Sequence, residues 1–141
     1  MLIKQISVFI ENQKGRLAEV LSILAEHRID ISALSLADTS DFGILRLIVD
    51  KPDTASEILR SEGLIVKVND VLAIAMDDRP GGLSGTLNAI ADISIEYMYA
   101  FVGKQDGKAV VVMRVSDADA AVKALQKDDV TIVDAHDIYR L

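Results

Sequence analysis

Two short stretches carry the residues best suited to hold a small charged molecule: Glu11-Asn-Gln-Lys-Gly15-Arg16-Leu17 and Asp77-Asp-Arg-Pro-Gly81-Gly82-Leu83. In each, glycine follows a polar run and leads to a leucine that opens a helical pattern. Glycine lets the backbone approach a ligand closely. The first N–H groups of a helix have no partner within it and lie at the positive end of its dipole, which suits a carboxylate. Asn12, Asp30 and Asp78 offer oxygens to an ammonium group. This is chemistry for binding a zwitterion. The same spacing also describes a plain tight turn that starts a helix.

Other chemistries find less support. A nucleophile needs a base beside it, and neither Ser40-Asp41 nor Ser84 has a histidine near in sequence. There is no Gly-x-Ser-x-Gly, phosphate loop or GxGxxG run, so no catalytic residue is assigned. The 2 histidines, His27 and His136, are far apart, and there are 0 cysteines, so neither a metal site nor a disulfide is expected. The formal charge of −7, from 15 Lys+Arg against 22 Asp+Glu, repels a phosphate backbone. RNA-reading strands need stacked aromatics, yet aromatics are 4% of the chain.

The elements that must position these loops occur twice. An apolar run, Ile6–Ile10 or Val71–Met76, precedes each loop. A helical pattern follows: Leu17, Val20, Leu21 and Leu24 in the first copy, Leu83, Leu87 and Ile90 in the second. Ile29-Asp-Ile31 and Ile93-Ser-Ile95 each open a strand. Gly43 and Gly107 are read as loop residues before third strands, Ile44–Val49 and Ala109–Met113. A second helix follows, with Ser116 and Asp119 at the offset of a helix cap and Gly63 as the stop of the earlier one. Leu64–Val68 and Val130–Val133 close the copies. The fold class is therefore α+β: two tandem ferredoxin-like βαββαβ modules, 1–69 and 70–141, each an antiparallel sheet in the order 4-1-3-2 with both helices on one face. The modules are expected side by side, paired along their second strands, Ile31–Asp38 and Ile95–Val102.

Asp77–Leu83 and Glu11–Val20 resemble the strand-to-helix signature of ACT domains, and Ile29-Asp-Ile31 resembles the start of that family's second strand. Ala33–Val49 and Ile95–Val102 resemble small stand-alone bacterial proteins made of an ACT pair. The resemblance implies an amino-acid-sensing module that works in pairs with ligand at the interface. Matched to the serine-sensing type, the positions that face the ligand are Asn12 with Asp30 and Asp78 with Ser94. Lys14 stands where that motif has Pro, Asp30 and Ser94 replace Asn, and Ile10 and Met76 stand where it has His. These departures leave the ligand's identity open.

The expected function is a non-catalytic sensor or regulatory protein that binds a free amino acid and needs no other cofactor. The alternative is a scaffold that keeps the fold without a ligand. The ligand carboxylate is expected on backbone N–H groups of Gly15, Arg16 and Leu17, or of Gly81, Gly82 and Leu83. Its ammonium is expected at Asn12 and Asp30, with Ile31 beside them, or at Asp78 and Ser94. Tyr97 and Tyr99 alternate on one face of the second copy's second strand, as edge packing or as a wall against the ligand. Arg46 is read as interfacial or snorkelling, or as a partner for a ligand carboxylate. Expected partners are a second copy, since each module is small with exposed edges, and a separate enzyme of amino-acid metabolism. With no apolar run near ~20 residues and no signal-peptide pattern at Met1-Leu-Ile-Lys-Gln, no membrane partner is expected and the location is cytoplasmic.

Overall fold

β-branched residues dominate the first strand, β1 (Ile3–Glu11), where Ile6, Val8 and Ile10 point to one face and are buried. The computed structural model describes residues 2–38, 41–103 and 107–138. Along the chain β1 is followed by α1 (Arg16–Glu26), β2 (Ile31–Asp38), β3 (Phe42–Val49), α2 (Pro52–Ser61), β4 (Ile65–Asp77), α3 (Gly82–Asn88), β5 (Ile95–Ala100), β6 (Lys108–Val115), α4 (Ala118–Lys127), β7 (Thr131–Ile132) and α5 (Ala135–Ile138). Two compact units result, one of Lys4–Asn69 and one of Asp70–Leu141 with Met1–Ile3.

In the first unit the strand order is β2-β3-β1-β4. The antiparallel register of β1 and β3 sets Ile6 opposite Leu47, Val8 opposite Leu45 and Ile10 opposite Gly43. Those side chains form a core with Val20 and Leu24 of α1 and Ala55 and Leu59 of α2. Both helices thus cover one sheet face. Helix α1 ends at His27, whose ring Nδ1 donates to the Ile23 carbonyl at 2.8 Å. Gly63, with φ +85, ends α2 and turns the chain so that the Leu64 N–H reaches the Leu59 carbonyl at 3.1 Å. On the other face lie the buried Gln5 and Ser7. Gln5 Nε2 donates to Ser7 Oγ, and Ser7 Oγ donates to Asn69 Oδ1, both at 3.2 Å.

The second unit repeats the order as β5-β6-β4-β7. Leu72, Ile74, Val111 and Met113 pack with Ile90, Ala121 and Leu125. The expected α+β class and repeated βαββαβ order are present, with several local differences. The expected strands Leu64–Val68 and Val71–Met76 are one 13-residue strand, β4, and the division between the units falls within it, after Asn69. Gly43 lies within β3. The cap of α4 is Asp117, whose side chain accepts from the Ala120 N–H at 3.1 Å, because Ser116 lies one residue too early. Helix α3 spans 7 residues and stops before Ile90. The short helix α5 was not foreseen. Within its own unit each second strand is paired on one side, β2 with β3 and β5 with β6.

Among the described residues no helix is long and apolar enough to cross a membrane.

Leu47 is fully buried in the first core. Leu47→Ala should therefore cost about 2–5 kcal/mol of stability, the usual range for a truncated core leucine. Asp117→Ala should cost about 1 kcal/mol through loss of a helix cap. Urea unfolding followed by circular dichroism measures both.

Candidate functional site

The first loop is shaped by the backbone. Gly15 precedes α1 with φ +83, in the left-handed region where glycine carries no side-chain penalty. The Gln13 N–H reaches the Glu11 carbonyl at 2.7 Å and the Arg16 N–H reaches the Gln13 carbonyl at 3.2 Å. Arg16 turns along the helix, and its Nη1 donates to Glu19 Oε2 at 3.0 Å. Beside this loop is a cavity of about 220 Å³, lined by Asn12, Gln13, Leu17, Leu36, Asp38 and Gly43 among others. Asn12 Nδ2 donates to Asp38 Oδ1 at 3.3 Å, so Asp38, at the end of β2, belongs to this site although it was not foreseen.

The expected pairing of Asn12 with Asp30 does not occur within the unit. The Asn12 N–H reaches the Asp41 carbonyl at 3.2 Å, just before β3. The Asp30 N–H donates to Asp50 Oδ1 at 3.0 Å, just after β3. The 8-residue strand β3 lies between them, which separates them by about 26 Å at a rise of ~3.3 Å per residue. The cause is the path of the chain. Helix α1 returns along the sheet from the loop end, so β2 starts, with Asp30 and Ile31, at the far end.

The second loop has the same form with more charge. Gly81 has φ +84. A Cβ on Gly82 would collide with the Asp77 carbonyl oxygen. Arg79 Nε lies 3.6 Å from Asp77 Oδ2, and Lys108 Nζ lies 3.7 Å from Asp77 Oδ1. These are loose pairs in water, of the kind that contributes little stability. A cavity of about 460 Å³ opens here, with Gly81, Gly82, Arg79 and Lys108 in its lining. Asp78, Leu83 and Ser94 are not in that lining, and all three are exposed. Ser94 is again at the far end, where its carbonyl accepts from the Ser116 N–H at 2.9 Å, while the loop end of β6 is Lys108, opposite Asp77. Asp78 and Ser94 therefore do not meet within the unit.

Tyr97 and Tyr99 do share a face, opposite Arg114 and Val112. It is the face turned away from the helices, since Met98 is the residue that packs into the helix-covered core. Tyr97 lies toward the start of β5, so it is not a wall of its own unit's loop. Arg46 sits half-buried opposite Ser7 and Ser35. Ser40 lies outside the described residues. Among the described residues no three His, Asp or Glu gather as metal ligands do.

Arg79 was present in the loop motif, but nothing in its spacing marked it. Lys108 enters through strand register, which the sequence does not display. At Gly15 a Cβ would meet nothing within 4 Å, so what requires glycine there is φ, not the close approach expected from the sequence. At Gly82 it is close approach that requires it.

Two substitutions separate a glycine required by close approach from one that is not. Gly82→Ala should destabilise the second unit by about 1–3 kcal/mol, because backbone must move to admit the methyl group. Gly85→Ala, whose Cβ would enter open space within α3, should stabilise by about 0.5–1 kcal/mol. Thermal unfolding of the two variants should shift in opposite directions.

Comparison with known proteins places this geometry in a family. A family model described as an ACT domain pair matches residues 1–141. No curated protein matches the sequence. Among solved structures, protein BT0572 from Bacteroides thetaiotaomicron is 40% identical, with 100% of this chain and 98% of that one covered and a TM-score of 0.93. The regulatory subunit of aspartate kinase from Thermus thermophilus, in its ligand-free form, is 21% identical over 88% of this chain and 91% of that one, with a TM-score of 0.63. The corresponding subunit from Thermus flavus is 20% identical over 90% and 94%, with a TM-score of 0.61. At 20–21% identity the likeness is one of fold. The match along the whole length, together with a relative of 40% identity, bears out the resemblance of the two loops: the chain belongs to the family of ACT domain pairs.

Proposed function

We propose that this ACT domain pair is a non-catalytic regulatory protein that binds a free amino acid, and that its first loop forms a complete site only with a second copy of the chain. The observation that carries this reading is the separation of Asn12 from Asp30 by the length of β3. One ligand cannot touch both within a unit. Strand β2 ends the strand order and exposes Leu34 (38%) and Leu36 (50%). An exposed edge strand with apolar side chains favours pairing with another strand. Antiparallel pairing of β2 with β2 of a second copy about a twofold axis would bring Asp30 of one copy to Asp38 and Asn12 of the other. The interface is self-complementary, as a twofold dimer requires. The amine of the ligand would then lie between Asp30, Asp38 and Asn12, and its carboxylate would face the start of α1.

Ligand would stabilise the paired state by its differential affinity for that state, which is the physical basis of a sensor. The regulatory subunits with the same fold suggest a separate enzyme of amino-acid metabolism as the regulated partner, met in the cytoplasm. No cofactor beyond the amino acid is needed. The alternative, a scaffold without ligand, predicts pairing through β2 that is indifferent to amino acids.

A thermal-shift screen of the twenty amino acids separates the two readings, since ligand at ~100 times its dissociation constant adds roughly 2.7 kcal/mol. Light scattering should give at least a dimer, and a strictly monomeric mass with and without ligand would rule out the paired site. Calorimetry should find that Asn12→Ala and Asp30→Ala each weaken binding by roughly 1.5–3 kcal/mol, the value of a hydrogen bond to a charged group. Mixing the two variants tests the composite site directly. Half of the loop sites in a mixed dimer regain both residues, so binding should reappear on mixing. Failure to recover would mean that the two residues do not share a ligand across copies.

A further inference from the structure

The larger cavity, beside the second loop, opens on the fourth-strand side and not toward the second strand. Strand β7 is 2 residues long, and its pairs with β4 are Ile74 with Ile132 and Ala75 with Thr131. Continued register would set Val130 opposite Met76 and Asp129 opposite Asp77. Instead the Val130 N–H closes on the Leu125 carbonyl at 3.0 Å and the Asp129 N–H on the Gln126 carbonyl at 3.1 Å, with Asp129 at φ +57. The chain is drawn back to finish α4 and never reaches the end of β4. Met76 and Asp77 therefore have β6 on one side, through Ala109 and Lys108, and border the cavity of about 460 Å³. That volume falls in the range of small-molecule sites.

The charges around the cavity are divided. Asp128 and Asp129 line one wall, at the C-terminal end of α4. The negative end of a helix dipole disfavours acids there and favours a cation. Arg79 and Lys108 line the cavity from the loop and β6, held by the loose contacts to Asp77 described above. An ordinary α-amino acid carries the complementary pair of charges on adjacent atoms. All of these residues belong to the second unit, so no second copy is needed to complete the site.

We infer that the second unit carries a self-contained site for a small zwitterion of the α-amino acid class, distinct from the composite site at the first loop. Its ammonium faces Asp128 and Asp129. Its carboxylate is taken by Arg79 and Lys108, displacing Asp77 from their loose pairs. The chain then holds two amino-acid sites of different construction: one depends on association of copies and the other does not. This inference shares with the function proposed above the class of ligand, but not the residues or the need for a partner.

The test is calorimetric titration of the full chain with each of the twenty amino acids, with circular dichroism as the folding control. Asp129→Asn removes charge while keeping a residue that tolerates the left-handed backbone, and Arg79→Gln removes the guanidinium. Each should weaken this site at least about tenfold, as expected for loss of a charge-assisted hydrogen bond, and leave the composite site intact. Asn12→Ala with Asp30→Ala should remove the composite site and leave this one, at a concentration where the chain is dissociated. Amino-acid binding that is unchanged in the Arg79→Gln, Asp129→Asn double variant, or that vanishes entirely in the Asn12→Ala, Asp30→Ala double variant, overturns the self-contained site while sparing the composite one. Absence of binding by all twenty overturns both.

Discussion

Burial of one branched apolar face is the constraint on which each unit depends. In the first unit Ile6, Val8, Leu45, Leu47 and Val49 leave water only if α1 and α2 lie across them, with Val20, Leu24, Ala55 and Leu59 turned inward. That single requirement sets where each helix starts. It holds Arg16, the first residue of α1, above the end of β1, and the short approach to it forces a left-handed residue at Gly15. Each fully buried aliphatic side chain contributes on the order of 1.5–3 kcal/mol, so the loop is anchored by packing at both of its ends. A hydrogen bond such as that between Asn12 and Asp38, made in water, adds little by comparison.

The same constraint separates polar residues of the loops from those that start the second strands. A helix that covers a sheet must run back along it, so the strand that follows begins at the opposite end. Asp30 and Ser94 are carried away from Asn12 and Asp78 for this reason. A module of this topology cannot surround a ligand at its loop with residues from the start of its own second strand. It must borrow them from another second strand or bind with what the loop end already holds. The two units differ in what stands beside their loops. The first has a small cavity that reaches Leu36 and Asp38 on the edge strand β2. The second has a wide, charged cavity on the other side, where β7 begins too late to pair with the end of β4.

This difference arises from a few residues. The turn that ends the second helix has the same path in both units, with the Leu64 N–H on the Leu59 carbonyl in the first and the Val130 N–H on the Leu125 carbonyl in the second. The first turn carries Glu62 and Gly63, the second Asp128 and Asp129, and only the second unit's closing strand stops after 2 residues. Duplicated modules with equal loops therefore have unequal surroundings. The surroundings, more than the loop motif, decide what charge a ligand meets.

The sequence by itself determined what depends on neighbours in the chain. The twofold repeat, the order of strands and helices, and the glycines at 15 and 81 follow from local patterns of apolar and turn residues, and all are present in the structure. Its errors are of two kinds. Small ones, such as the cap at Asp117 in place of Ser116 or the inclusion of Gly43 in β3, come from competition between nearly equal local choices. Larger ones concern what strand register brings together: Asp38 beside Asn12 and Lys108 beside Asp77 went unseen, and two expected strands are one continuous β4. Register and strand length are set by which apolar faces can be buried together over the whole sheet, and no local segment contains that information. The loops were legible as loops; which charged groups surround them was decided by tertiary structure alone.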